Sequence, residues 1–149
     1  MALTFSILVT DNISGSGLQP LRDDDQFELV EINDSSSEEF LNALTSADGL
    51  IVRSATKVDS EILAQAQSLK VIGRAGVGVD NIDVDVATER GIAVLNAPAG
   101  NTVSAAELTL ALMLSVVRRV PGADASVRRG EWDRRRFKGA ELRGRTLGL

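Results

Sequence analysis

Five short apolar runs, at residues 5–10, 27–32, 49–52, 70–74 and 92–96, constrain the fold of this 149-residue chain more than any other feature. Helical spacing appears between them, near 18–22, 37–46, 60–67 and 84–90. Parallel strands cannot be joined by a tight turn and need a crossover, usually a helix, so this alternation predicts a parallel sheet. The expected class is α/β: a flavodoxin-like sheet in the order 2-1-3-4-5 with helices on both faces. Ligands of such sheets gather beyond the C-terminal ends of the strands. Here those ends are 10–14, 53–56, 74–79 and 97–101, which supply two arginines, several hydroxyls and glycines.

After Pro98 the texture changes. Asn101 and Thr102 can cap a helix, Ser104 and Glu107 have capping-box spacing, and an apolar run continues to Val117. The unbroken stretch 108–114 predicts a helix buried almost all round, in a core or a subunit interface, since it is far short of the ~18 apolar residues of a membrane span. Pro121 and Gly122 are expected to end it, a second helix to cover 123–129, and TLGL at 146–149 to open a strand of a second α/β domain. The expected division is therefore 1–98 and 99–149.

The chain has neither cysteine nor histidine, which removes disulfides, thiolate nucleophiles and the usual zinc ligands. Its only aromatic residues are Trp132 and four phenylalanines, so the core must be built from Val, Ile, Leu and Ala. The N-terminus lacks a basic start followed by a long apolar run, and the expected compartment is the cytoplasm. Net charge is −5, unevenly spread: 118–145 carries ten Lys/Arg against four Asp/Glu, a surplus of +6, and the remainder sums to −11. Such a basic arm suits a solvated face, a subunit contact or an anionic ligand. It does not suit nucleic acid, because no aromatic residues are interleaved for stacking, and no membrane partner is expected.

Arg53-Ser54 and Arg74-Ala75-Gly76-Val77-Gly78 each follow a predicted strand, which points two guanidinium groups and a glycine turn into one crevice. Guanidinium forks pair with carboxylate or phosphate, and exposed amides near Gly76 can add a backbone nest, so a small-anion site is expected. The alternative is a structural ion pair with one of the nearby aspartates. The turn is no dinucleotide fingerprint, since GxGxxG counted from Gly76 needs glycine where Asn81 stands. Asp80, Asp83 and Asp85 do not make a calcium loop, because Gly91 stands where the bidentate glutamate belongs. Asp83 and Asp85 instead fit the first turn of a helix. No metal site and no catalytic acid–base pair is expected on this chain.

LIVRSAT at 50–56, RAGVGVDNI at 74–82, VLNAP at 94–98, GNTVSAAEL at 100–108 and WDRRRFKGAELRGRTLG at 132–148 closely resemble the D-isomer specific 2-hydroxyacid dehydrogenase family, and within it the phosphoglycerate branch. The resemblance implies oxidation of 3-phosphoglycerate to 3-phosphohydroxypyruvate with NAD, a step of serine synthesis. It implies that Arg53, Ser54, Arg74, Gly76 and Asn101 line the substrate site. Val77 would approach the cofactor, and Arg134 would reach the substrate phosphate of a neighbouring subunit. Residues 1–98 are then a substrate-binding domain, and 99–149 dimerisation helices with the start of an incomplete Rossmann nucleotide-binding domain. Family members continue from TLGL into a glycine fingerprint and a catalytic Arg, Glu and His, so this chain alone is expected to be inactive. A small phosphorylated 2-hydroxy acid and a homodimer through 101–145 are the expected partners. The alternatives are a glyoxylate or hydroxypyruvate reductase type of the same family and a non-catalytic binding or oligomerisation module.

Overall fold

The computed structural model describes residues 4–148. It contains two compact units, Met1–Asn101 and Thr102–Leu149. In the first unit strands β1 (Phe5–Val9), β2 (Phe27–Glu31), β3 (Gly49–Val52), β4 (Val71–Arg74) and β5 (Ala93–Asn96) alternate with helices α1 (Gly15–Arg22), α2 (Glu38–Ser46), α3 (Ser60–Gln65) and α4 (Val84–Glu89). All pairings are parallel, in the order β2-β1-β3-β4-β5. This is the predicted architecture.

Leu8, Leu50, Val52 and Ile72 turn inward from the three central strands and are at most 1% exposed. They pack with Phe40 and Leu44 of α2, Leu63 of α3 and Ala87 of α4. On the opposite face Ile7 and Val9 pack against Leu18 of α1. The two faces are unequally covered, and Leu95 of β5 is 60% exposed. Between β1 and β3 the strands approach so closely that a Cβ on Gly49 would stand 2.8 Å from Ile7 Cδ1. Side chains cap α2, α3 and α4: Ser37 accepts from the Phe40 amide, Asp59 from Glu61 and Ile62, and Asp83 from Val86. Asp83 is thus the cap of α4, one position before the first turn assigned to it, and Asp85 is within that turn. Helix α1 begins at Gly15, three residues earlier than the apolar spacing predicts, and so encloses Pro20.

The second unit holds α5 (Thr102–Val117) and α6 (Val120–Arg128). Four expectations are corrected here. Ser104 and Glu107 lie inside α5, since the helix already starts at Thr102. Pro121 and Gly122 do not end α5 but stand in the first turn of α6, where proline costs no hydrogen bond; the break falls at Arg119, whose φ is 53°. No residue of α5 is buried, and Leu108, Leu110, Leu112 and Leu114 are each at least half exposed. Residues 146–148 carry no strand, because a strand at that point has no neighbour to receive its amides and carbonyls; Leu149 lies outside the described residues. No helix among the described residues is long and apolar enough to cross a membrane.

Candidate functional site

The register pairs Val52 of β3 with Arg74 of β4, so the segments that leave these strands emerge side by side at the C-terminal edge of the sheet. Arg53, Ser54 and Ala55 are exposed, whereas Thr56 is buried and anchors the loop. The Asp11 carboxylate accepts from the amides of Arg53 (2.7 Å) and Thr56 (3.1 Å) and from the Thr56 hydroxyl (2.6 Å). Asn81 Nδ2 donates to the carbonyls of the same two residues, 2.7 Å each. Burial alone would raise the Asp11 pKa. The hydrogen bonds from Thr56, Arg53 and Ala55 outweigh it and hold the carboxyl below its ordinary value, so it stays ionised. Asp11 and Asn12 adopt φ of 64° and 50°, a left-handed turn that costs about 1–2 kcal/mol per residue and is best tolerated by Asn and Asp.

On the β4 side, Arg74 folds over its own turn. A Cβ at Gly76 would stand 2.8 Å from the Arg74 guanidinium carbon, so a side chain there would displace the guanidinium from this position. Arg74 Nε is buried and has no hydrogen-bond partner. Neither Arg53 nor Arg74 forms an ion pair among the described residues, which removes the structural alternative for both. Two of the amides near Gly76 are not free for the expected backbone nest. The Ala75 amide donates to the Val52 carbonyl (2.8 Å) and the Gly76 amide to the Arg74 carbonyl (2.8 Å), so both are engaged within the protein. Asn96, closing β5, donates through Nδ2 to the Val77 carbonyl at 2.7 Å and steadies the turn, leaving the Val77 side chain 39% exposed. An open groove of about 220 Å³, lined by Ile51, Arg74, Leu95 and Asn96 among others, runs along this edge.

Arg53, Ser54, Arg74, Gly76 and Val77 therefore come together on one sheet edge. Asn101 is the last residue of the first unit, and Arg134 belongs to the second. Arg134 lines two cavities there: one of about 230 Å³ with Ser126, Glu131, Trp132 and Phe137, and one of about 520 Å³ with Arg118, Arg135 and Lys138. In the first, hydrogen bonds from Arg129 and then Ser126 pull Glu131 down to about 2. No cluster of three His, Cys, Asp or Glu that could hold a metal occurs among the described residues. Asp11, Asn81 and Asn96 escaped sequence reasoning. Asp11 lies within the 10–14 strand end already singled out, but nothing local shows that its carboxylate reaches a loop more than forty residues away.

Residues 7–145 match the catalytic domain of the D-isomer specific 2-hydroxyacid dehydrogenases. The chain belongs to this family. Among family members, D-3-phosphoglycerate dehydrogenase of Methanocaldococcus jannaschii is 52% identical over 143 residues, which is 96% of this chain and 27% of that protein. The Bacillus subtilis enzyme of the same name is 49% identical over 97% of the chain, again 27% of its own length. The chain thus spans about a quarter of these curated relatives. NAD-bound 3-phosphoglycerate dehydrogenase of Entamoeba histolytica superposes with a TM-score of 0.70 at 28% identity, over 93% of this chain and 43% of that one.

Proposed function

We propose that this chain is the substrate side of an NAD-dependent dehydrogenase that oxidises 3-phosphoglycerate to 3-phosphohydroxypyruvate. The observation that carries the reading is the buried, partnerless Nε of Arg74 beside the exposed Arg53. A buried donor left unmade costs about 1–3 kcal/mol, which the Arg74 side chain would recover by swinging out onto a bound carboxylate or phosphate oxygen. Arg53 and the Ser54 hydroxyl would complete the grip on a small dianion. The family and the phosphoglycerate dehydrogenase relatives support the reaction class.

NAD would accept the hydride when bound. This chain offers it the exposed apolar surface of Val77 but no glycine fingerprint for a pyrophosphate, so the fit is partial. Nor does the chain supply an evident proton acceptor. It has no histidine, and Asp11 is held ionised with both oxygens committed to the loop. The residues here bind and orient. Proton transfer belongs to groups that other parts of the enzyme would bring.

The reading includes self-association in the cytoplasm, a compartment in keeping with a cysteine-free chain. The exposed leucines of α5 form an apolar surface of the kind that monomers rarely leave uncovered, and two-fold pairing is the commonest way to cover it. In such a dimer the +6 arm would face the −11 body of the partner, with Arg134 near the bound anion.

Steady-state NADH formation by the complete enzyme tests the reading. With D-3-phosphoglycerate, kcat/KM should exceed that for unphosphorylated D-glycerate by roughly tenfold to hundredfold, the worth of one charge-assisted hydrogen bond. Equal rates would favour a glyoxylate or hydroxypyruvate reductase type, and no turnover on either a non-catalytic module.

A further inference from the structure

We propose that Asp11 and Asn81 are positioning residues, a clamp that holds Arg53 and Ser54 in their binding orientation from the backbone side. The inference rests on the 53–56 loop being the substrate loop. Arg53 and Thr56 are each held at both polar ends of the backbone: their amides donate to Asp11 at 2.7 and 3.1 Å, and their carbonyls accept from Asn81 at 2.7 Å. Ser54 and Ala55, both exposed, are carried between these two anchored residues.

The clamp arms come from different elements. Asp11 follows β1 in a left-handed turn, which the Asn33 side chain supports by accepting from the Asn12 amide at 2.8 Å. Asn81 follows β4 and is fixed by the parallel bridge between Val58 and Ile82, with the Val58 amide donating to the Asn81 carbonyl at 2.8 Å. The loop lies past the end of β3 and outside the sheet ladder, so these side chains, and not strand pairing, set its course. Asn81 Oδ1 is buried without a partner, so this amide is oriented by its two donations alone.

Two measurements on this chain test the clamp: ligand-free amide hydrogen exchange, and calorimetric titration with D-3-phosphoglycerate. Asp11→Ala and Asn81→Ala should each speed exchange at Arg53 and Thr56 by on the order of tenfold or more, with the Leu50 and Ile72 amides unchanged. Both should weaken binding by about tenfold while the cooperative melt is kept. Asp11→Asn should restore both readouts to within about threefold, since one oxygen can serve both amides while the NH2 donates to the Thr56 hydroxyl. Asp11→Gly accepts the left-handed backbone without the carboxylate and should behave like Asp11→Ala, which keeps the test decisive if the alanine variant does not fold. Unchanged exchange in Asp11→Ala, or loss of protection throughout the sheet in every variant, overturns the positioning role. If Arg53→Met weakens binding but Asp11→Ala does not, the clamp alone fails. If exchange responds but Arg53→Met leaves affinity untouched, the substrate reading fails and the positioning role falls with it.

Discussion

Arg74 is the residue on which the site turns, because its guanidinium carries a buried donor that nothing among the described residues satisfies. Replacing Arg74 or Arg53 by methionine should therefore weaken phospho-acid binding by roughly tenfold to hundredfold, at about 1.5–3 kcal/mol per charge-assisted bond. Neither residue has an ion pair to lose among the described residues, so the melting temperature should move little; wholesale unfolding would show the arginines to be structural. Asp11 makes a separate prediction. Its pKa is depressed in the folded chain, so its contribution to stability is complete above the ordinary 3.8 and is lost as pH falls through the lower folded value. A carbon-13 titration should find the Asp11 carboxyl still ionised at pH 3.8, and half-protonation there would contradict the hydrogen bonding described. Both arginines were legible in the sequence because each directly follows an apolar run. Asp11 and Asn81 were not: their role depends on contacts across 42 and 28 residues, which no local pattern encodes.

At the scale of elements, the five strands and their order could be read because short apolar runs separated by helical spacing leave few topologies open. Boundaries were less legible. Pro121 and Gly122 look like a stop, yet the first turn of α6 accepts them, since the first amides of a helix have no internal acceptor. The TLGL segment illustrates the opposite limit: a strand-like sequence becomes a strand only beside another strand. The caps offer a direct check. Asp59 accepts two amides at the start of α3, and Asp59→Ala should cost about 1 kcal/mol, read as a lower midpoint in urea with an unchanged slope. An unchanged midpoint would mean that packing of Leu63 alone holds this helix.

For the whole molecule, the α5 leucines predict association. Sedimentation at micromolar concentration should show a dimer that Leu110→Lys converts to monomer, and a wild-type monomer at that concentration would leave the apolar surface unexplained. The same chain, lacking both a histidine and a dinucleotide fingerprint, should show no NAD-dependent turnover of 3-phosphoglycerate by itself. This molecule carries two cationic regions that could take the proposed substrate: the β3–β4 edge with Arg53 and Arg74, and the basic segment 118–145. Nitrogen-15 NMR of this chain during titration with D-3-phosphoglycerate separates them most directly. Binding at the β3–β4 edge should give saturable shifts concentrated at the amides of 53–56 and 74–78. Shifts confined to 118–145, or none at saturating ligand, would rule out binding at that edge.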